Sequence, residues 1–226
     1  MVRIEAITEP ITIKIDRSPK AHEQADAIEN AWQGLCAQNP RYFNGSMLAF
    51  DSYDPATGVI RASVEEYKFH AVRDTVDAGI SLLAVTAIIT SPNEQGVGQY
   101  LLGKRSPKTH RYGNLWELGP SGGVDVPANQ IGTLDFDAIV AELKREIAEE
   151  VGLMIDHCAC SPVVLVHDDA VGSVDIAIQI ELEQMPDLSR SWEYVDTRWV
   201  SRSQLIEWAK KHPEDLIPTT VALALR

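Results

Sequence analysis

The stretch from Ile139 to Leu153, I-V-A-E-L-K-R-E-I-A-E-E-V-G-L, constrains the fold of this chain more than any other. It is rich in Ala, Leu, Lys, Arg and Glu and contains no proline, which predicts a helix. Gly152 is placed to end that helix, since glycine readily takes the left-handed conformation that follows many helices. At about 100° per residue one apolar stripe forms and should face a core. The stripe consists of Val140, Leu143, Ile147 and Val151.

Four glutamates lie on an arc beside this stripe, with a single arginine at its edge. They are Glu142, Glu146, Glu149 and Glu150, and the arginine is Arg145. Like charges this close on a helix repel one another unless a cation lies among them. Oxygen ligands in this arrangement suit Mg²⁺ or Mn²⁺. A solvated acidic face is the alternative interpretation of a glutamate-rich helix.

The order of the residues favours the metal site. The run R-E-I-A-E-E-V-G-L, residues 145–153, resembles the second half of the Nudix box and fills every specified position of it. In that family the box continues upstream with a glutamate and a glycine. By the family spacing, these positions fall on Asp137 and Ile131 here, whereas Gly123 lies eight residues too early. Residues 124–131 therefore resemble an inserted loop.

The resemblance implies a set of roles at the helix. Nudix enzymes cleave a diphosphate linked to another moiety, and divalent metal ions lower the barrier by neutralising oxygens and activating water. Carried over by position, Glu146, Glu149 and Glu150 are the metal ligands, and Arg145 orients a glutamate through a salt bridge. A backbone carbonyl of the Gly122–Gly123 pair is a further metal ligand, and Gly123 is the residue predicted to supply it.

Two regions of the sequence contain candidates for the general base. Glu149 or Glu150, acting through a metal-bound water, is favoured as the catalytic group. An acid of a later hairpin, Asp168, Asp169 or Asp175, is the alternative. Side chains of this type at a hairpin more often shape the turn itself.

Candidate substrate-binding residues precede the box. Arg105 can grip a phosphate bidentately, and Tyr112 or Trp116 can stack on a base. Core packing is the alternative for Trp116. Upstream, the segment N-P-R-Y-F-N-G, residues 39–45, is similar to a segment of the Nudix subfamily that hydrolyses UDP-glucose and UDP-galactose.

These similarities imply hydrolysis of a nucleotide sugar such as UDP-glucose to a nucleoside monophosphate and a sugar 1-phosphate, with Mg²⁺ or Mn²⁺ as cofactor. Two alternatives stay open. One is a pyrophosphatase of ADP-ribose or of dinucleotides, and the other is a non-catalytic Nudix domain that senses a nucleotide. Intact glutamates argue against a pure sensor, which has no need of that acidic cluster.

The order of predicted elements indicates an α/β fold. Strands at Leu82–Thr90 and Gln99–Lys104, the helix, a hairpin at Pro162–His167 and Val174–Leu182, and a strand at Tyr194–Val200 predict a Nudix-type α/β/α sandwich with a mixed sheet. Residues 82–226 form that core. Residues 1–81 form an N-terminal helix-and-hairpin extension packed on it, with a helix at Pro19–Gln38 and strands at Ser46–Asp51 and Val59–His70.

The net charge of the chain limits the kinds of molecule that it is expected to bind. The chain has 226 residues, 33 acidic against 20 basic, and a net charge of −13. Nucleic acids and anionic membranes select basic patches, so neither is an expected partner. A small molecule linked to a nucleoside diphosphate remains compatible when metal ions supply positive charge. With no signal peptide and no apolar run near 20 residues, the expected location is cytoplasmic. A homodimer is left open.

Overall fold

The computed structural model describes residues 1–16, 22–40, 42–127, 132–155, 158–189 and 191–226. Its helices are α1 (Ala25–Gln38), α2 (Tyr67–Ala71), α3 (Phe136–Val151), α4 (Arg202–Lys211) and α5 (Pro218–Leu225), with a 3₁₀ turn at Pro213–Asp215. Its strands are β1 (Val2–Ala6), β2 (Thr12–Asp16), β3 (Ser46–Asp54), β4 (Val59–Glu66), β5 (Leu82–Pro92), β6 (Gly98–Arg105), β7 (Trp116–Leu118), β8 (Ser121–Gly123), β9 (Gly132–Leu134), β10 (Ala159–Asp168), β11 (Ser173–Glu181) and β12 (Tyr194–Ser201).

Within these residues, all twelve strands belong to one mixed sheet. Its main path runs β1-β10-β11-β5-β3-β4-β2-β9, while β6 joins β5 to β7 and β12, and β8 pairs with β5. The pairs β11–β5 and β2–β4 are parallel. The pair β10–β11 is the predicted hairpin, with antiparallel register.

Helices cover both faces of the central strands. Alternate residues of a strand point to opposite faces, and Leu83, Val85, Ala87 and Ile89 of β5 pack in one core with α3. The intervening Ile88 packs in a second core with α4 and α5. This explains why β5 is apolar throughout, as strands buried on both faces are. The predicted α/β/α sandwich with a mixed sheet is confirmed.

Residues 1–81 supply strands to the same sheet. Strand β1 pairs with β10 along its whole length, and β3 meets β5 at Ala49 and Leu82. Ile13, Leu48 and Ile60 lie fully buried in the α3 core. Helices α1 and α2 form a small core of their own around Ile28 and Trp32.

One predicted strand is too long. The expected strand Val59–His70 ends at Glu66, and Tyr67–Ala71 form the short helix α2 instead. The chain turns because the backbone N–H of Lys68 donates to Oδ1 of Asn44, and that of Tyr67 donates to the carbonyl of Gly45. Residues 19–21 of the predicted helix, Arg41 of the 39–45 segment, and residues 128–131 of the proposed insertion lie outside the described residues.

In the part of the chain that the structure describes, every helix is too short or too polar to span a bilayer.

Candidate functional site

Helix α3 ends at Gly152 as its sequence predicts and begins at Phe136, three residues before the predicted stretch, and this fixes the direction of its acids. The side chain of Asp135 caps the first turn by accepting from the N–H of Ala138 at 2.9 Å, and Gly152 ends the helix with a φ of 67°. Ile139, Leu143 and Ile147 face the core. Because residues four apart on a helix share a face, Glu146 and Glu150 point together toward β7 and β8.

Glycine at position 122 allows the loop to lie against the helix. A Cβ atom built on Gly122 would stand 2.4 Å from Cδ of Glu146, which is too short for two non-bonded carbon atoms. At Gly123 the nearest atom to such a Cβ is Cδ1 of Leu82, at an ordinary 3.4 Å. The loop therefore approaches the helix most closely at Gly122. The carbonyl predicted as a metal ligand belongs to the next residue, Gly123.

Four carboxyl groups gather where these elements meet, and we call them the carboxylate cluster: Glu117, Glu146, Glu150 and Glu193. Glu117 lies in β7, and Glu193 directly precedes β12. Burial, together with the charges of Glu117 and Glu193, raises the pKa of Glu150 from 4.5 to about 10. Burial also raises the pKa of Glu146 to about 7, against the opposing charge of Arg145. Each ionised member of this cluster therefore needs a cation nearby.

Arg145 organises the outer edge of the cluster. Its Nη2 donates to Glu146 at 2.7 Å, to Glu142 at 2.5 Å and to Asp125 at 3.2 Å, while Nη1 donates to Glu149 at 2.9 Å. The predicted orienting salt bridge of Arg145 is thus present. Glu149 has a side chain 60% exposed and is paired with Arg145, and its charge contributes to the raised pKa of Glu146. Its predicted metal and base roles are untested.

A buried ion pair supports the other side of the cluster. Glu117, 1% exposed, accepts hydrogen bonds from Nη1 of Arg105 at 2.5 Å and from the hydroxyl of Tyr194 at 2.8 Å. Arg105 also donates through Nε to the carbonyl of Arg111 at 3.2 Å. Two of its three guanidinium nitrogens therefore already have protein acceptors, so Arg105 has less freedom to grip a phosphate bidentately than its sequence position suggests.

A cavity of about 180 Å³ opens beside the cluster. Glu117 and Gly122 line it, so the cavity and the cluster share a wall. Its other polar walls come from distant parts of the chain, namely His70, Thr86, Arg105, Arg111, Tyr112, Ser121, Asp168, Ser173, Asp175 and Thr219. His70 comes from α2, so residues 1–81 help to build the cavity.

Tyr112, one of the predicted substrate-binding residues, lines this cavity. Its backbone has a positive φ of 52°, an unusual conformation for a residue with a side chain. Its hydroxyl donates to Oδ2 of Asp168 at 2.7 Å, and the N–H of Ala170 donates to Oδ1 of the same aspartate at 3.0 Å. Asp168 is thus held by the turn and by Tyr112 together.

Polar groups in the cavity wall lack partners. Nε and Nη2 of Arg111 and Nδ1 of His70 are buried without a hydrogen bond, within the described residues. The remaining nitrogen of Arg111, Nη1, pairs with Asp74. Unpartnered buried donors cost about 1–3 kcal/mol each. A ligand oxygen that reaches this wall can recover part of that free energy, which makes Arg111 a stronger anion-binding candidate than Arg105.

Trp116 is not in the cavity wall. It is 5% exposed and packs in the second core, 5.6 Å from the ring of Trp208, with the guanidinium of Arg198 over its face at 4.5 Å. Neighbouring residues of β7 point to opposite faces, so Glu117 reaches the cluster and Trp116 turns away from it. The expectation that Trp116 stacks on a base is wrong, and its core-packing alternative is correct.

The sequence offered a weak signal for the acids that were missed. Glu117, which was missed, stands between Trp116 and Leu118, and Asp175, already named as an alternative base, interrupts the apolar run V-D-I-A-I of β11 in the same way. A charged residue inside a buried strand is rarely without a partner or a function. Glu193 carries no comparable signal, because it stands before the predicted strand Tyr194–Val200 and not inside it.

Comparisons with family models and with curated proteins both find no match for this chain. Solved structures do match. A Nudix hydrolase from M. smegmatis is 18% identical over 62% of this chain and 80% of its own, with a TM-score of 0.46. A MutT protein from Methanosarcina mazei is 22% identical over 64% and 90%, also at 0.46. An Ap4A hydrolase from C. elegans is 16% identical over 62% and 93%, at 0.44. Similarity at this level establishes no activity for the chain, whose function has to be inferred from its own site.

The donor chemistry of the cluster fits a divalent metal. Among the described residues, no three His, Cys, Asp or Glu side chains stand in ready-made coordination geometry. Glu146 and Glu150 are nevertheless buried oxygen donors whose raised pKa values reflect the cost of their charge. Hard oxygen donors of this kind suit Mg²⁺ or Mn²⁺. These two residues would hold the ion.

Proposed function

We propose that this chain is a metal-dependent pyrophosphohydrolase. Its substrate would be a nucleoside diphosphate linked to another moiety, first of all a nucleotide sugar such as UDP-glucose. The products would be a nucleoside monophosphate and a sugar 1-phosphate.

One observation carries the proposal, namely that the cavity beside the carboxylate cluster is also lined by arginines, of which Arg111 has two buried nitrogens without a partner. Glu117 and Gly122 connect the cavity to the carboxylate cluster, and Arg105 and Arg111 stand in the same lining. A diphosphate matches such a site, because its oxygens need positive charge from the arginines on one side and from a carboxylate-bound cation on the other. A neutral substrate without anionic oxygens would leave the two unpartnered nitrogens of Arg111 without a charged acceptor.

Different residues of the chain would have different roles in this reaction. A divalent ion, when bound, supplies charge neutralisation and acidifies water. Glu146 and Glu150 bind that ion, and Glu150 is the better placed of the two predicted bases because Glu149 lies outside the cluster. Arg145 holds Glu146 in position, and Arg111 offers unpartnered N–H groups to a phosphate oxygen.

Two observations support the assignment of a nucleotide sugar as the substrate. They are the similarity of residues 39–45 to the subfamily segment and the participation of residues 1–81 in the cavity through His70. Hydroxyl-rich ligands suit a wall that contains Tyr112, Ser121 and Asp168.

The test is turnover by purified wild type and by Glu146→Gln and Glu150→Gln. Substrates would be UDP-glucose, ADP-ribose, NADH, a dinucleoside polyphosphate and nucleoside triphosphates, each with Mg²⁺ or Mn²⁺. Both variants should lose about 10²-fold or more of the rate on the best substrate, since glutamine neither carries the charge nor accepts the proton. Glu207→Gln, on the exposed face of α4, is the matched control.

Retained turnover in Glu150→Gln would remove Glu150 from the mechanism. Turnover confined to nucleoside triphosphates would refute the nucleotide-sugar assignment. Tight nucleotide binding without turnover would favour the sensor alternative.

A further inference from the structure

A second concave surface lies next to the cavity, and we call it the aromatic groove. It encloses about 720 Å³ and is lined by Asn39, Tyr42, Lys108, His110 and Trp192. Pockets that hold small molecules generally enclose about 300–1,000 Å³. Its walls come from three separate regions: the end of α1, the segment after β6 and the segment before β12.

One side of the groove is an exposed indole. Trp192 is 67% exposed, although tryptophan usually buries its ring or uses it in an interface. In the described residues, no other ring stacks on it and no cation lies over its face. A large flat surface is therefore open to a ligand.

A rigid pair of rings forms another part of the wall. The hydroxyl of Tyr42 and Nδ1 of His110 are hydrogen-bonded at 2.5 Å, with the two rings at 90° and their centroids 5.6 Å apart. Trp32 supports Tyr42 from the small core, with centroids 5.8 Å apart. Burial and the charge of Arg111 lower the pKa of His110. These rings are held in place before any ligand arrives.

The groove also offers a positive charge. The ammonium of Lys108 has no hydrogen-bond or ion-pair partner within the described residues, in a chain whose net charge is −13. A free lysine beside aromatic rings can donate to the carbonyl oxygens of a flat heterocycle or to an anionic oxygen. Aromatic faces with such a donor are the usual composition of a site for a nucleobase.

The groove is continuous with the candidate active site along two stretches of chain. His110 in the groove is followed by Arg111 and Tyr112 in the cavity wall. Trp192 in the groove is followed by Glu193 in the carboxylate cluster. A ligand that extends over both would place a ring in the groove and its phosphates at the charged walls.

We infer that the aromatic groove binds the base and ribose of the nucleoside half of the substrate, with the base stacked on Trp192. The diphosphate then leads to the carboxylate cluster and the remaining moiety occupies the cavity lined by Tyr112 and His70. This inference rests on the proposed diphosphate substrate, and it replaces Trp116 by Trp192 as the stacking residue.

The test measures binding of the two product halves separately, without turnover. Tryptophan fluorescence, excited at the red edge of the absorption band, is titrated with UMP, AMP and glucose 1-phosphate in the metal-free protein. A nucleoside monophosphate should quench the emission, and glucose 1-phosphate should not. Trp192→Phe should lose most of this quenching, whereas the matched control Trp208→Phe, on α4, should keep it.

Affinity gives a second readout. Trp192→Ala should weaken nucleoside monophosphate binding, measured by calorimetry, about tenfold or more, as expected for loss of a stacked base. Lys108→Gln should weaken it as well, while Lys210→Gln, an exposed lysine of α4, should not. Because Trp192 is exposed, its substitution should leave the melting temperature unchanged.

The outcomes separate this inference from the proposed function. If UDP-glucose is hydrolysed but Trp192→Ala keeps the wild-type KM and the wild-type affinity for UMP, the groove is not the base site and the inference fails alone. If no substrate is hydrolysed but UMP or AMP still quenches Trp192, the inference stands and the hydrolase proposal fails. Failure of both nucleotides to quench wild-type emission also overturns the inference.

Discussion

Glu150 shows most directly how burial shapes this molecule at the scale of a residue. It is 5% exposed, and burial, together with the charges of Glu117 and Glu193, raises its pKa to about 10. A carboxylate in such surroundings carries either a proton or a nearby cation at neutral pH. Glu150 is therefore suited to exchange its proton for a metal ion, as the proposed metal-dependent hydrolysis would require of a metal ligand.

Gly122 leads to a first prediction. In Gly122→Ala the new Cβ would meet the carboxylate end of Glu146, a flexible group that can move aside. The melting temperature should therefore change little, but turnover should fall by about 10²-fold because a displaced ligand misplaces the reacting groups. Gly98→Ala, where nothing lies within 4 Å of the added atom, is the control. Wild-type turnover in Gly122→Ala would contradict the role of this contact.

Asp175 leads to a prediction about pH. Burial and the charges of Glu117 and Asp168 raise its pKa from 3.8 to about 7, against the hydrogen bond from Ser173 and the charge of Arg105. The folded state then holds this proton more tightly than the unfolded chain, so the contribution of Asp175 to stability is present below pH 3.8 and is lost as the pH rises through about 7.

Asp175→Asn removes this titration. Its free energy of unfolding, relative to wild type, should therefore rise between pH 4 and pH 8. Urea denaturation of both proteins at several pH values measures the difference, in which all other titrating groups cancel. A difference that stays constant with pH would mean that Asp175 is charged in the folded protein.

At the scale of an element, α3 is a helix specified by its own residues. It has a capping aspartate, an apolar stripe that packs against β5 and a terminal glycine in the left-handed conformation. Strand β4 is the opposite case. Its sequence predicts a strand as far as His70, but Asn44 and Gly45 bond to the backbone of residues 67 and 68 and turn the chain into α2.

The ends of α3 can be tested separately. Asp135→Ala should lower the free energy of unfolding by about 1 kcal/mol through loss of the cap. Gly152→Ala should cost more, since its φ is 67° and the added Cβ would lie 1.9 Å from Oγ of Ser189. Gly34→Ala in α1, with open space around it, should instead stabilise the protein slightly. Urea denaturation measures all three, and a smaller loss in Gly152→Ala than in Asp135→Ala would contradict this order.

At the scale of the whole molecule, residues 1–81 and 82–226 share one sheet and one core. Strand β1 extends the sheet beyond β10, and β3 and β4 continue it beyond β5. The same residues carry His70 and Tyr42 to the cavity and the groove. The extension is thus part of the site as well as of the core.

A truncated chain should therefore fail to fold. Removing residues 1–81 takes Ile13, Leu48 and Ile60 from the core. Their burial contributes about 5–9 kcal/mol, comparable to a total stability of about 5–15 kcal/mol. The fragment 82–226 should show poorly dispersed amide signals in proton NMR, and adding the fragment 1–81 should restore dispersion. A cooperatively folded 82–226 fragment would contradict this prediction.

The sequence by itself determined the local features: α3 with its terminal glycine, the doubly buried β5, the β10–β11 hairpin and the α/β/α arrangement. Each depends on periodicity and capping among neighbours in the chain. Only the tertiary structure decided which glutamates meet, because Glu117 and Glu193 reach Glu150 through the register of β7 and the approach to β12. It also put Trp116 of β7 in the core, since which face a strand residue occupies depends on the layers packed against the sheet, and it left Trp192, in the segment before β12, exposed.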